Sequence, residues 1–552
     1  MTVPRVARLD LWRGVLLLAF AVVGLLLVYP LYNIFAASFL DNETGALTLA
    51  NYRRVLGHPY YQTAIVNSLV IGLGGMVAAV ALGVPLAYCV ARHKVRGRAV
   101  ITTLAILSLV SPPFIGAYAW ITMLGSNGWL RGILSDLGLE LPSIYGPLGI
   151  LLVFGLKFYP FVFLLTVGAL NLVNASLEEA AENLGATGWR KLRMVTLPLV
   201  LPAVSAGALL AFVLSLADFG TPSILGRGYR VLSTTAYNLY TSEIGGNPGL
   251  ASTASIVLIA ISLVAVAAQK RLVARREYAS ALTRRPAVRS LEGVRSWVVH
   301  GLCYLIVGVS SLPSVVVVYN SFRNTSGPVF KPGLGLDSYR KVISDVPDAI
   351  VNSFAFSSAA VVLVVGLGTL IGYVLARRPG IAAGALDALL MIPYVVPGVV
   401  LGLGFVVSFN GPPIELVGTG AIIVLVIFIR RLPYSVRSSV SILRQIRASL
   451  EEAAINLGAS PSRAFVKVTL PLMLPGVLAG AMMAFVTAIN ELSSSIILYV
   501  GGTVTMPVRI YLAVLDGEFG TAAALSTVLL VTTGVAVAIV LRVSESREGS
   551  FV

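Results

Sequence analysis

Four ionisable residues stand inside otherwise apolar stretches: Lys157 in VFGLKFYP, Asp218 in LADFGTPSIL, Arg430 in VIFIRRLPY and Glu491 in INELSSSIIL. A charge placed in a membrane-spanning helix costs about 3 kcal/mol on insertion scales, so such residues are candidates for function. The chemistry open to them is to attract, screen or gate a charged cargo, with Asn490, Ser493, Ser494 and Ser495 adding polar lining to the same path. The other reading is structural: Lys157 pairs with Asp218, and Arg430 with Glu491, to hold helices together. Pro112-Pro113, Pro393 and Pro397-Gly398 interrupt two further apolar segments. Irregular backbone at membrane depth suits a cavity wall or a hinge.

Bond-making chemistry has no visible machinery. Cys89 and Cys303 lie singly in apolar segments, and His58, His93 and His300 are scattered without ligand spacing. The pattern predicts no metal cluster, no disulfide framework, no cofactor and no catalytic residue.

The element that organises the chain is Glu178 to Pro202, EEAAENLGATGWRKLRMVTLPLVLP, which recurs at Glu451 to Pro475 as EEAAINLGASPSRAFVKVTLPLMLP. At an offset of 273 the copies agree at 16 of 25 positions. A repeat of this length means two copies of one structural unit. Ser176 and Ser449 stand three residues before Glu179 and Glu452, the spacing of a capping box. Gly185 and Gly458 then suit left-handed C-terminal caps, and Thr187 and Ser460 suit caps of a second helix that stops before Pro198 and Pro471. In that helix Trp189 and Leu192, or Phe465 and Val468, give an apolar edge beside basic residues. On chemistry alone this is also an amphipathic connector lying on a bilayer surface.

The stretch resembles the EAA loop of the membrane subunits of ABC importers. Its pattern is met by Glu178, Glu179, Ala180, Ala181, Gly185 and Leu197-Pro198, and again by Glu451, Glu452, Ala453, Ala454, Gly458 and Leu470-Pro471. The resemblance implies a coupling helix that docks into a groove on a cytoplasmic ATPase, one per loop. Glu179 and Glu452 are then caps and contact residues, not acid catalysts. No stretch matches G-x-x-x-x-G-K-[ST], so ATP hydrolysis is expected in a separate subunit and this chain is not expected to be an enzyme.

Composition sets the environment. With 57% hydrophobic and 12% charged residues, and a mean hydropathy of +0.89, the chain reads as an all-α integral membrane protein. Spanning helices are expected near 14–37, 65–90, 100–124, 147–170, 199–225 and 250–269, then near 298–320, 351–376, 385–409, 418–436, 471–500 and 520–541. This divides the chain into a first six-helix domain, 1–270, a basic linker, 271–297, and a second six-helix domain, 298–552. The net charge of +16 could suggest nucleic acid, but its bases sit in alternate loops. The N-terminus, the Arg92 to Arg98 loop, both EAA loops and the linker are basic and fall on one side, which the positive-inside rule assigns to the cytoplasm along with both termini. Arg5, Arg8 and Arg13 lead into an apolar stretch too long for the core of a signal peptide, so it is expected as the first span of a multi-pass protein.

Equivalent residues continue the repeat: Val66-Asn67-Ser68 with Val351-Asn352-Ser353, and Tyr88 and Arg92 with Tyr373 and Arg377. The expected architecture is two parallel repeats of six helices. Over its whole length the chain resembles two fused permease units of binding-protein-dependent importers. Phrases such as ELSSSIILY and DGEFGTAAALST look most like bacterial ferric-iron permeases, with permeases for thiamine, aminoethylphosphonate and polyamines similar. The resemblance implies the bacterial inner membrane, a lipid bilayer as surroundings, two ABC ATPase subunits and a periplasmic substrate-binding protein as partners, and no nucleic acid. The rivals are an ion-coupled secondary transporter, which needs no paired glycine-turn loops, and a membrane scaffold with no transport role.

Overall fold

Runs of apolar residues long enough to cross hydrocarbon become helices, since only an internally hydrogen-bonded backbone is tolerated there. The structure is a computed structural model that describes residues 11–242, 246–274, 288 and 290–548. Among these, nine helices are long and apolar enough to span: Leu11–Ser38, Pro59–Arg92, Pro147–Leu172, Gly188–Ala217, Pro248–Arg271, Gly293–Ser321, Pro347–Arg377, Pro461–Ile489 and Phe519–Ile539. Two expected spans are broken pairs: Arg98–Leu109 with Phe114–Asp136, bent by 101°, and Ile381–Val395 with Gly398–Ser408, bent by 109°. The bends fall at Pro112-Pro113 and Pro397-Gly398. The remaining expected span is the helix Gly420–Gln445, which carries Arg430, Arg431 and Arg437. Most of the basic linker, including Arg275, Arg276, Arg284, Arg285 and Arg289, lies outside the described residues, as do Arg5 and Arg8.

Prolines near the membrane entry do not stop helices as the sequence suggests. Gly188–Ala217 runs straight past Pro198, and Pro461–Ile489 past Pro471. In each, a π-helical turn precedes the proline, Leu192–Thr196 in one and Phe465–Thr469 in the other. The amide of Leu197 bonds the carbonyl of Leu192, and that of Leu470 the carbonyl of Phe465. Widening the turn by one residue makes room for a ring that lacks an N–H, so the helix continues. Gly24–Val28 does the same one residue ahead of Pro30.

The fifth and eleventh helices are shorter than expected, ending at Ala217 and Ile489. Asp218 and Glu491 therefore stand at corners after these helices and not within them.

The chain forms two compact units. One contains Leu11–Ser38 with Arg340–Ile510 and the chain from Val528; the other contains Phe39–Tyr339 with Tyr511–Thr527. The first helix of each repeat thus lies in the unit built mostly from the other repeat. In the first unit Trp12 stacks on Tyr373 with centroids 4.0 Å apart and meets Phe465 edge-on at 5.0 Å. Asn33 there donates to Ser408 at 2.8 Å. In the second unit the Tyr304 hydroxyl donates to the Arg96 carbonyl at 2.9 Å, and the Arg96 amide donates to His300 Nε2 at 3.0 Å. Tyr159 and Ser310 are 3.0 Å apart. Small residues let the helices of each unit close up: a Cβ on Gly207 would lie 2.7 Å from the Val162 backbone, and one on its repeat partner Gly480 would lie 2.9 Å from Ser438.

Candidate functional site

Both EAA stretches fold as helix, glycine turn, helix. The first helices are Ala175–Asn183 and Ser449–Asn456. Gly185 has φ +82 and Gly458 φ +92. The amide of Gly185 bonds the Glu182 carbonyl at 2.9 Å and that of Ala186 the Ala181 carbonyl at 2.9 Å. In the second loop Gly458 bonds Ile455 at 2.9 Å and Ala459 bonds Ala454 at 3.0 Å. This is a Schellman ending in both copies, and it needs the left-handed residue that glycine supplies.

The N-terminal ends differ from the expected capping box. Asn174 caps the first helix by accepting from the Ser176 amide at 3.2 Å, because the helix begins two residues earlier than the box requires. The second helix begins at Ser449 itself, with Ala448 in the cap position. Ser460 does cap the following helix, accepting from the Arg463 amide at 3.3 Å, whereas the Thr187 side chain makes no such bond.

The two glutamates of each loop have different surroundings. Glu178 is turned inward, 2.7 Å from Arg92 at the end of Pro59–Arg92, and accepts from Thr196 at 3.0 Å. Glu451 accepts from Thr469 at 3.1 Å and from the Tyr373 hydroxyl. Arg377, the repeat partner of Arg92, donates instead to the Ile446 carbonyl at 2.7 Å. The first glutamate thus ties each loop to the spanning helices beneath it. Glu179, Ala180, Glu452 and Ala453 are exposed, while Ala181 is buried and Ala454 half-buried. At the tips Leu184 and Leu457 are 88% and 89% exposed. Thr196, Thr469 and Tyr373, which hold the glutamates, carry one mark in the sequence: each recurs at its repeat position, Thr196 with Thr469 and Tyr373 with Tyr88.

The membrane charges also sort differently from the expected pairs. Arg430 pairs with Glu491 as anticipated, and the adjacent Arg431 binds the other carboxylate oxygen. Glu491 further accepts from the Ser494 amide at 3.1 Å and hydroxyl at 3.0 Å, so its charge is fully engaged. Lys157 donates not to Asp218 but to the carbonyls of Ser108, Leu109 and Ser111, where the helix Arg98–Val110 breaks at Pro112-Pro113. Prolines carry no N–H to satisfy those carbonyls, and a cation at a helix C-terminus is favoured. Asp218 accepts from the Thr221 amide at 2.8 Å. Asn490 donates to the Val486 carbonyl at 2.7 Å. Arg430 lies against Gly398, where a Cβ would come within 2.6 Å of its guanidinium. A cation on the fourth helix of each repeat therefore meets the break in the third. Lys157 also lines a cavity of about 30 Å³ with Ser111, Ser310 and Ser314, room for water. Among the described residues no group of three or more His, Cys, Asp or Glu converges as metal ligands.

Two broken helices, paired glycine-turn loops and charges held at corners define a membrane transport domain made twice. Residues 79–278 and 368–547 each match the family described as "Binding-protein-dependent transport system inner membrane component". The chain belongs to that family and is an ABC importer permease. It is 30% identical to the "Ferric transport system permease protein FbpB" of Actinobacillus pleuropneumoniae, over 94% of this chain and 76% of that protein. It is also 30% identical to the "Putative ferric transport system permease protein FbpB 1" of Haemophilus influenzae, over 88% of this chain and 77% of that one. Among solved structures, a bacterial ABC transporter involved in the import of alginate aligns with a TM-score of 0.41 and 21% identity, over 49% of this chain and 97% of that chain.

Proposed function

We propose that this permease passes iron(III), received from a periplasmic binding protein, to the cytoplasm, driven by two ATPase subunits seated on its EAA loops. The observation that carries the substrate is likeness along nearly the whole chain to two ferric transport permeases. The geometry of the loops supports the drive: two identical glycine turns each present an exposed leucine, Leu184 or Leu457, as an apolar knob for a groove. The exposed residues Glu179, Ala180, Glu452 and Ala453 flank the knobs as contacts. Closing of the ATPases draws the loops together, and the ties from Glu178 and Glu451 carry that motion into the spanning helices as a rigid-body switch. The basic loops support a cytoplasmic position for the EAA stretches and both termini. Lys157, Asp218, Arg430, Asn490 and Glu491 are the candidates to border the path, with the breaks that Lys157 and Arg430 meet acting as hinges.

The test is ATP hydrolysis by the chain reconstituted in vesicles with the ATPase and binding protein that its chromosomal neighbours encode. Stimulation by the iron(III)-loaded binding protein supports the reading; stimulation only by thiamine, a phosphonate or a polyamine moves the substrate. Uptake driven by an ion gradient, with no ATPase bound, defeats the importer mechanism.

A further inference from the structure

The aromatic site beneath the second EAA loop has an unfilled image beneath the first. In the first unit Trp12, 3% exposed, is packed among Tyr373, Leu443, Phe465 and Met473. Their repeat partners in the second unit are Tyr88, Leu170, Leu192 and Val200, and these line a cavity of about 310 Å³. That volume is at the lower end of the range of ligand pockets. The residue at the repeat position of Trp12, by the offset of 285 that relates Tyr88 to Tyr373, is Trp297, and it is 82% exposed. The mouth of the cavity differs from its image too. It carries Trp189 and Arg193, where the other repeat has Ser462 and Val466.

We propose that this cavity binds one acyl chain of an anionic phospholipid, whose phosphate is held by Arg193. The walls are apolar and sit where Pro59–Arg92 and Pro147–Leu172 end and Gly188–Ala217 begins, at the edge of the hydrocarbon. An acyl chain takes the place that an indole fills in the image site. An exposed arginine beside an exposed indole at that depth suits a headgroup: the indole belongs at the interface and the guanidinium binds phosphate oxygens. Because Leu192, Arg193 and Thr196 belong to the π-helical turn and helix that follow Gly185, a bound lipid stiffens the first EAA loop and leaves the second untouched.

Native mass spectrometry of the full chain in detergent, with added dioleoyl phosphatidylglycerol or phosphatidylcholine, tests this. One retained phosphatidylglycerol is expected. It should be lost in Leu170→Trp, which fills the cavity, and bound about fivefold more weakly in Arg193→Glu, a surface change that leaves the packing intact. Equal retention of phosphatidylcholine overturns the headgroup assignment. Unchanged retention in both variants overturns the site. Binding that emerges only in Trp297→Ala also overturns it, since Trp297 would then be the occupant.

Discussion

Glu178 lies 2.7 Å from Arg92, and its repeat partner Glu451 is held by Tyr373, a residue one helical turn before the repeat partner of Arg92. The first loop is fastened by an ion pair with side chains 8% and 13% exposed. The second is fastened by a phenol, while Arg377 serves a backbone carbonyl. Two copies of one sequence device have settled on different chemistry for the same joint.

That difference predicts unequal sensitivity. Arg92→Met leaves a largely buried carboxylate uncompensated, at a cost of roughly 3 kcal/mol. Tyr373→Phe removes one hydrogen bond to a carboxylate that Thr469 still serves, worth about 1.5 kcal/mol. Hydrogen exchange of the amides from Ala180 to Gly185 should accelerate strongly in the first variant, and those from Ala453 to Gly458 only slightly in the second. Similar acceleration in both contradicts the asymmetry.

The glycine turns predict a different pattern. Nothing lies within 4 Å of a Cβ built on Gly185 or Gly458, so a side chain there meets no clash and only the left-handed backbone resists it. Gly185→Val and Gly458→Val should each cost about 1–2 kcal/mol locally, cutting ATP-driven uptake about tenfold with membrane insertion unchanged. Asparagine tolerates that backbone, so Gly185→Asn and Gly458→Asn should retain most uptake. Full uptake in both valine variants argues against coupling through these loops.

These turns were legible because a glycine at a helix end has one dominant local meaning, and the repeat states it twice. The caps were less so: Asn174 and Ser176 both suit a helix start, and local preference alone does not choose between them. Pro198 and Pro471 read as stops because a widened turn leaves no mark in composition. Lys157 and Asp218 looked like partners for their opposite charges, but the carbonyls freed at Pro112-Pro113 are closer acceptors, and only the fold brings them there. The exchange of first helices between units is set by tertiary packing, such as Trp12 on Tyr373, which lies outside any sequence window.

The two membrane acids should respond unequally to neutralisation. Glu491 is bound by two arginines whose side chains are 13% and 14% exposed. Glu491→Gln leaves both without a counter-charge and should destabilise by roughly 3–5 kcal/mol. Asp218 accepts from the Thr221 amide, a bond that an asparagine oxygen also makes, so Asp218→Asn should cost about 1 kcal/mol or less. Thermal unfolding of the purified chain in detergent ranks them; a lower Tm for Asp218→Asn than for Glu491→Gln reverses the assignment.

The packing of Gly293–Ser321 against the first repeat can be fixed covalently without adding a residue. Cys89 on Pro59–Arg92 and Cys303 on Gly293–Ser321 are both free thiols and buried, on helices that pack against each other within one unit. Copper(II)-phenanthroline should oxidise the pair to a disulfide, removing two protons and two electrons from the thiols. With a protease site inserted between Ala274 and Ser290, the cleaved halves of oxidised protein should then migrate together on a denaturing gel and separate on reduction. Cys303→Ser should abolish the link. Because Cys89 and Cys303 lie on opposite sides of the cut, only a helix of the second repeat seated on the first can hold the halves together. Free halves after complete oxidation would remove Gly293–Ser321 from that seat and, with it, the exchange of first helices.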